Sequence, residues 1–401
     1  MLGAGEGVSR VLGVLAYAAL ARVLTVDEFG IFTYAMTLGL LFGVLVDFGQ
    51  NALVGRAAAR DTGEGGHIVS AAVSNKLMVG ALLAAGGWAG ARLLGVSSDE
   101  AIVIALMIVW AAALSALDAV RGFGRSRGMM VSDSIINGSE SLLRVASVLA
   151  AWFLGLRLVG VAFAFASASL VALFVYLWFV ASRHPGHIPT RVPVKRRLAV
   201  FAEAAPLGLS AIAMAGFYRL DQVFVRTLAG SEQSAYYGAA ARIVFTAGVV
   251  AIILAWAAYP ELSRASHDKR AFRAVLKRSL GLAVAAGAIG TVLIAVGAEP
   301  LLVAIYGQPY AAVTDILRVL SFVVLFNAVS VIALQAANAL HLDRRVMVIA
   351  SVLVAINIVL NVLLVPIFGA MAAAALSVAG EAALAAALLA AAVRATRAES
   401  S

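Results

Sequence analysis

The chain has 401 residues, 63% of them hydrophobic and 13% charged, with a mean hydropathy of +0.99; a soluble domain carries about twice that charged fraction, so lipid is the solvent for most of this protein. It has no cysteine, which excludes disulfides, thiolate catalysis and the usual zinc sites. A net charge of +9 would suit a nucleic-acid surface, but its distribution marks membrane topology instead.

Apolar runs of about bilayer-spanning length predict helices at 8–24, 30–50, 68–94, 101–120, 133–154, 158–181, 204–228, 235–259, 279–298, 313–339, 346–366 and 370–393. The first run begins almost at Met1 and is followed by more of the same, so a retained span is expected and not a cleaved leader. With the N-terminus inside, the inward loops and the C-terminal tail hold twenty lysines and arginines. The outward ends hold only Arg22, Arg92, Arg157 and Arg226. That bias predicts a multi-pass protein of the cytoplasmic membrane with both termini cytoplasmic.

The stretch 182–197 contains Pro185, Gly186, Pro189, Pro193 and the run Lys195, Arg196, Arg197. Proline, glycine and charge together predict an exposed cytoplasmic linker. Six spans precede it and six follow. The expected architecture is an all-α polytopic membrane protein of about twelve transmembrane helices in two pseudo-symmetric six-helix lobes, 1–181 and 201–401, joined by a linker at 182–200. A near-copy supports this. The residues around Leu24, Glu28 and Phe32 recur 204 positions later, pairing Arg22 with Arg226, Glu28 with Glu232 and Arg60 with Arg264. A duplicated helix–loop–helix in a membrane chain is the mark of a transporter built from two homologous halves. An even number of spans per half predicts parallel repeats about the membrane normal.

A second basic stretch, 264–278, sets Phe272, Val275 and Leu276 among Arg270, Arg273, Lys277 and Arg278. Two readings stand: a short helix on the inner membrane surface, or a solvated loop. The alanine-rich last span, with Gly380, predicts close helix packing.

Several runs carry a family resemblance: Ser9-Arg10-Val11-Leu12-Gly13, Ala21-Arg22-Val23-Leu24, Glu28-Phe29-Gly30-Ile31-Phe32 and Asp47-Phe48-Gly49. Tyr306-Gly307-Gln308-Pro309-Tyr310, then Asn357-Ile358-Val359-Leu360-Asn361 leading to Pro366 and Gly369, continue it. Their order and spacing along nearly the whole chain resemble the bacterial polysaccharide exporters. These are lipid-linked oligosaccharide flippases of the multidrug/oligosaccharidyl-lipid/polysaccharide exporter superfamily. The first run is also similar to the first helix of lipid II flippases, which carry a further arginine–aspartate pair mid-helix. Ala16 and Tyr17 stand there in this chain, which favours the polysaccharide branch. The resemblance implies a lipid-linked oligosaccharide as cargo, membrane lipids as surroundings and a glycan polymerase or other assembly proteins as partners. It implies no cofactor.

Charge within a span is costly and usually has a use. A polyprenyl diphosphate head is compact and anionic, and arginine binds such groups through bidentate, charge-assisted bonds. The substrate-binding candidates are therefore Arg10, Lys76, Arg219 and Arg242. Arg10 lies near the inner end of its span, where snorkelling is the alternative. Lys76 and Arg242 are lone basic residues in apolar spans. Arg219 and Asp221, two apart, point to different helix faces. Asp47, Asp221 and Glu381 are candidates for counter-ion or coupling roles, with Glu381 read as the counter-ion of one of the arginines. Glu140 and Arg144 have the helical spacing of an ion pair.

Other motifs are set aside. Asp47-Phe48-Gly49 ends a membrane span, so it is no kinase metal triplet. The glycines at 3, 5 and 7 lack the strand–turn–helix setting of a dinucleotide loop. His184 and His187 have no further ligand, so no metal is expected. Gly122, Gly124 and Gly128 lie among Arg121, Arg125 and Arg127, whose charge topology explains. Two other functions compete. A cation-coupled multidrug exporter needs membrane carboxylates, yet span one has two arginines and no acid. A glycan polymerase or ligase needs large outer loops with catalytic groups, and the longest, 298–313, offers little beyond Glu299 and Tyr306. The protein is read as a non-enzyme.

Overall fold

A peptide group without a partner in hydrocarbon is expensive, so a chain this apolar must satisfy its backbone within each segment. The computed structural model describes residues 2–59, 65–183 and 192–397, and among them every regular element is helical. Eight of the described helical segments are long and apolar enough to cross a membrane. Arg60, His184 and His187 lie outside the described residues, as do the side chains of Arg10 and Arg397.

Helices α1 (Leu2–Val23) and α2 (Val26–Asp47) meet at a capping box. The Glu28 amide donates to Thr25 Oγ1 at 3.2 Å, and the Thr25 amide donates to Glu28 Oε2 at 3.0 Å. Two amides that α2 would otherwise leave open are thus satisfied. Helix α2 stops where Phe48 turns left-handed (φ 41°) and Gly49 follows at φ 80°. Asp47 accepts from the amides of Gly49 (3.2 Å) and Asn51 (3.1 Å), which starts α3 (Gln50–Ala59). Next come α4 (Gly65–Leu93), α5 (Ser98–Ser126), α6 (Met130–Phe153) and α7 (Leu158–Arg183). Helix α5 is the centre of this half and packs on α2, α4 and α7. Small residues permit the close approach: a Cβ on Gly39 would strike the Met107 backbone, and one on Gly80 would strike Ala112.

Helix α8 (Val194–Ala229) begins inside the predicted linker, so Lys195, Arg196 and Arg197 open a helix. The chain divides into two compact units, Met1–Gly216 and Phe217–Ser401, and the division falls within α8. The start of α8 belongs to the first of these units, for a visible reason. Asn75 Nδ2 donates to the Arg197 carbonyl at 2.9 Å, and Arg197 Nε donates to Asn75 Oδ1 at 3.1 Å. Phe201 stacks on Phe48 at 4.8 Å. The start of α8 is tied to α4 and to the α2 corner.

In the second unit α9 (Ser231–Ala247) and α10 (Val249–Ala265) adjoin at Gly248 and cover the predicted span 235–259. Helix α11 (Lys269–Val296) is capped by Asp268, which accepts from the Arg270 and Ala271 amides at 2.8 and 3.2 Å. The basic stretch 264–278 is thus neither a separate surface helix nor a loop. Its second part forms the first turns of α11, because Phe272 and Leu276 are buried against α10 and α13. Helix α12 (Ala298–Tyr306) and a 3-10 turn (Gln308–Val313) occupy the predicted outer loop, with Leu302, Tyr306, Tyr310 and Val313 buried. Helix α13 (Thr314–Ala339) is the centre of this unit, packed on α9, α10, α11 and α14 (Asp343–Arg397).

Helix α14 is two helices joined at Gly369 (φ 59°, ψ −142°), just after Pro366. That conformation is open in practice to glycine alone. The amide freed at the break, that of Ala370, donates to Gln233 Oε1 at 3.1 Å. The predicted spans 346–366 and 370–393 are its two arms.

Candidate functional site

The buried charges of the first unit come in matched sets. Lys76, on α4, is fully buried. Its Nζ donates to Asp47 Oδ1 at 2.7 Å, Asn51 Oδ1 at 2.5 Å and the Ser115 carbonyl at 2.9 Å. An ammonium has three protons, and all three are taken. The expectation of a lone cation available to an anionic substrate is corrected: Lys76 is committed to the corner where α2 gives way to α3, and Asp47 is its counter-ion.

A second set joins α5 to α6. Arg121 Nε meets Asp133 Oδ1 at 2.7 Å, its NH1 meets Asp118 Oδ1 at 3.1 Å, and Arg125 Nε lies 3.9 Å from Asp133 Oδ2. Arg121 and Arg125, beyond marking topology, therefore tie α5 to α6. A third set is Glu140 and Arg144, 3.0 Å apart on α6, with Ser169 Oγ of α7 donating to Glu140 Oε1 at 2.6 Å. The Arg144 guanidinium also lies over the Phe165 ring, 5.7 Å from its centroid.

The second unit holds its buried carboxylates differently. Asp221, on α8, accepts from Asn361 Nδ2 at 3.1 Å through Oδ1. Its Oδ2 accepts from Ser377 Oγ at 2.5 Å and from the Tyr237 hydroxyl at 3.3 Å. Asn361 Nδ2 also donates to the Asn357 carbonyl and to Asn357 Oδ1, at 2.9 and 3.0 Å. Glu381, on the second arm of α14, accepts from Asn327 Nδ2 at 3.1 Å and Ser330 Oγ at 2.8 Å, and Tyr218 also bonds it. Among the described residues no arginine or lysine partners either acid. The reading of Glu381 as an arginine's counter-ion is corrected, since its helix packs it against the asparagine and serine of α13.

Both acids line one cavity of about 30 Å³, with Tyr218, Tyr237, Asn357, Ser377 and Gly380 beside them. That is room for a water or a small ion, and far too little for a sugar or a drug. Asn361 Oδ1 is buried beside Asp221 with no hydrogen-bond donor of its own. The chemistry available is oxygen-only, with carboxylate, amide and hydroxyl groups. Such a set takes up a proton or coordinates a hard cation.

Arg219 and Arg242 are half-buried on α8 and α9. Neither lines this cavity, although Ala241 and Val244, on either side of Arg242 in the chain, do. The structure thus brings Asp221 and Glu381 together and Asp47 to Lys76. Sequence reasoning missed Asn327, Ser330, Asn357, Asn361, Tyr237 and Ser377. One signal was available: Asn357 and Asn361 are two amides four apart in an otherwise apolar span, and so share a helix face.

Comparison with known proteins places these features. The family described as polysaccharide biosynthesis protein matches residues 1–266. A probable flippase, AglR of Haloferax volcanii, is 29% identical over 163 residues, which is 39% of this chain and 33% of the relative. That match spans about a third of the relative's length. Among solved structures, the lipid II flippase MurJ in an inward closed conformation superposes with a TM-score of 0.77 at 13% identity, covering 97% of this chain and 87% of MurJ. An inward-facing multidrug resistance MATE family transporter of the MOP superfamily gives 0.70 at 15%, covering 99% and 94%. At these identities the likeness is one of fold.

Proposed function

The chain belongs to the family of polysaccharide biosynthesis proteins, and from that premise we propose that it is a flippase. Its cargo would be a polyprenyl-diphosphate-linked oligosaccharide, carried across the cytoplasmic membrane by alternating access for surface polysaccharide assembly. No bond is made or broken in such a cycle, so the protein would act as a transporter and not as an enzyme. The observation that carries the reading is family membership in a chain whose fold follows a lipid II flippase along 97% of its length. Arg10, Arg219 and Arg242 remain the groups proposed for the diphosphate, since guanidinium suits phosphate oxygens in pairs. Asp221 and Glu381 are proposed as the coupling acids, taking up a proton or a small monovalent cation as the cycle turns. The lipid-linked glycan would be handed on to a polymerase on the far side of the membrane.

The test is complementation in a strain lacking its own flippase, with protein level measured in parallel. Arg10→Ala with Arg219→Ala should abolish glycan export while the protein stays in the membrane, and lysine at both positions should restore part of it. Normal export from the double alanine variant would overturn the cationic site. Reporter fusions after Gln50 and Arg197 should read cytoplasmic and one after Gly95 external; an external signal at Arg197 would overturn the topology.

A second reading draws support from the buried carboxylates: a cation-coupled multidrug exporter of the same superfamily. It predicts raised drug resistance in a sensitised strain and no rescue of glycan export, the reverse of the first reading.

A further inference from the structure

The two arms of α14 leave a groove between them at the end where the helix begins and finishes. It has a volume of about 800 Å³ and is lined by Arg344, Arg345, Val348 and Ile349 on one arm and by Ala387, Ala390, Ala391, Arg394 and Ala395 on the other. Its chemistry is divided. Three guanidinium groups stand at the mouth, and apolar side chains form the walls. All three arginines are exposed. Among the described residues none of them makes an ion pair or a side-chain hydrogen bond, whereas Arg121, Arg144, Arg157, Arg197, Arg273 and Arg318 all do.

The groove is open because of its alanines. Positions 387, 390, 391 and 395 fall on one helix face at spacings of three and four, and no side chain there extends beyond Cβ. Deeper in, Ile349, Leu353, Leu384 and Leu388 close the two arms together. On the outer side Met347, Val348 and Val352 remain exposed, as lipid-facing residues do. Positive-inside topology accounts for arginines on this side of the membrane. It does not account for three of them at the mouth of an alanine-walled slot.

We propose that this groove binds an anionic phospholipid of the inner leaflet. The arginines take the phosphate through charge-assisted bonds, and an acyl chain lies along Val348, Ala387 and Ala391. The occupant follows from charge complementarity together with the apolar walls. A free anion would match the arginines and leave the walls uncovered. A zwitterionic lipid would cover the walls and leave the arginines unneutralised. Basic clefts between membrane helices near the cytoplasmic surface hold lipid head groups by this division of labour.

The experiment is native mass spectrometry of the full-length protein in detergent, titrated with phosphatidylglycerol or with phosphatidylcholine. Wild type should retain one phosphatidylglycerol molecule much more tightly than phosphatidylcholine. The triple variant R344Q/R345Q/R394Q should lose that preference, by about fivefold per arginine. The variant A390L/A391L, with every charge kept, should lose it as well, because leucine fills the slot. R344K/R345K/R394K should retain most of it. Circular dichroism of each variant checks that the helices persist. Equal retention of the two lipids by wild type, or undiminished phosphatidylglycerol in the triple glutamine variant, would overturn the proposal. Loss in the arginine variant but not in the alanine variant, with displacement by inorganic phosphate, would identify a free-anion site and overturn it too.

Discussion

The two units bury their charges on opposite principles. In the first, each acid meets a cation: Asp47 with Lys76, Asp133 with Arg121, Glu140 with Arg144. In the second, Asp221 and Glu381 are held by amides and hydroxyls alone among the described residues. A buried ion pair is fixed, because separating it leaves two uncompensated charges in a poor dielectric. A buried carboxyl among neutral donors can gain or lose a proton, or exchange a cation, without breaking a pair. The first arrangement suits a scaffold. The second suits a group that changes state in a cycle.

The largest test of that contrast is Lys76→Ala. It strands Asp47, Asn51 and the Ser115 carbonyl, and should destabilise the protein by about 3–5 kcal/mol, seen as a sharp fall in folded protein recovered and in unfolding temperature. Replacing the pair together, Lys76→Met with Asp47→Asn, should restore much of the loss, since matched removal leaves no lone charge. If Lys76→Ala folds as well as wild type, the scaffold role is wrong.

Next in size is the converse pair of changes. Asp221→Asn and Glu381→Gln keep shape and hydrogen bonding among neutral partners, so stability should move by less than about 1 kcal/mol. Transport should fall at least tenfold, about 1.4 kcal/mol in the limiting step, and its dependence on a proton or sodium gradient should disappear. Transport assays in vesicles under imposed gradients decide this, and also tell a proton from a sodium ion. Full activity in the double variant would remove coupling from this site.

The smallest effect compares the duplicated corners. The first has the Thr25 capping box; the second starts α9 from Gly230, at φ 93° with no side-chain cap. Thr25→Ala should cost about 1 kcal/mol, measured by denaturant titration in detergent. Gly230→Ala should cost a similar amount for a different reason, the backbone angle. Equal tolerance at both corners would mean that neither cap holds its hairpin.

Several features were legible in the residues because they are local. The eight segments long and apolar enough to cross a membrane follow from hydropathy and the rise per residue of a helix. The Glu140–Arg144 bond follows from the four-residue spacing. The break at Gly369 falls in the gap between the spans 346–366 and 370–393 that hydropathy predicts. The helical lining of 298–313 was not legible, because Leu302 and Tyr306 reveal their burial only against neighbours. Nor was the attachment of Arg197 to α4, which is made across 122 residues.

The amino-acid sequence by itself determined that this chain is a multi-pass membrane protein, is helical and belongs with the polysaccharide biosynthesis proteins, since hydropathy, spacing and motif order are properties of a line. Only the tertiary structure decided which buried charge is paired with an opposite charge and which is held by neutral amides and hydroxyls. Lys76 and Asp47 meet across 29 residues, and Asp221 and Ser377 across 156. Those partners are chosen by how helices pack, and the cost of a charge in lipid depends on the partner it is given.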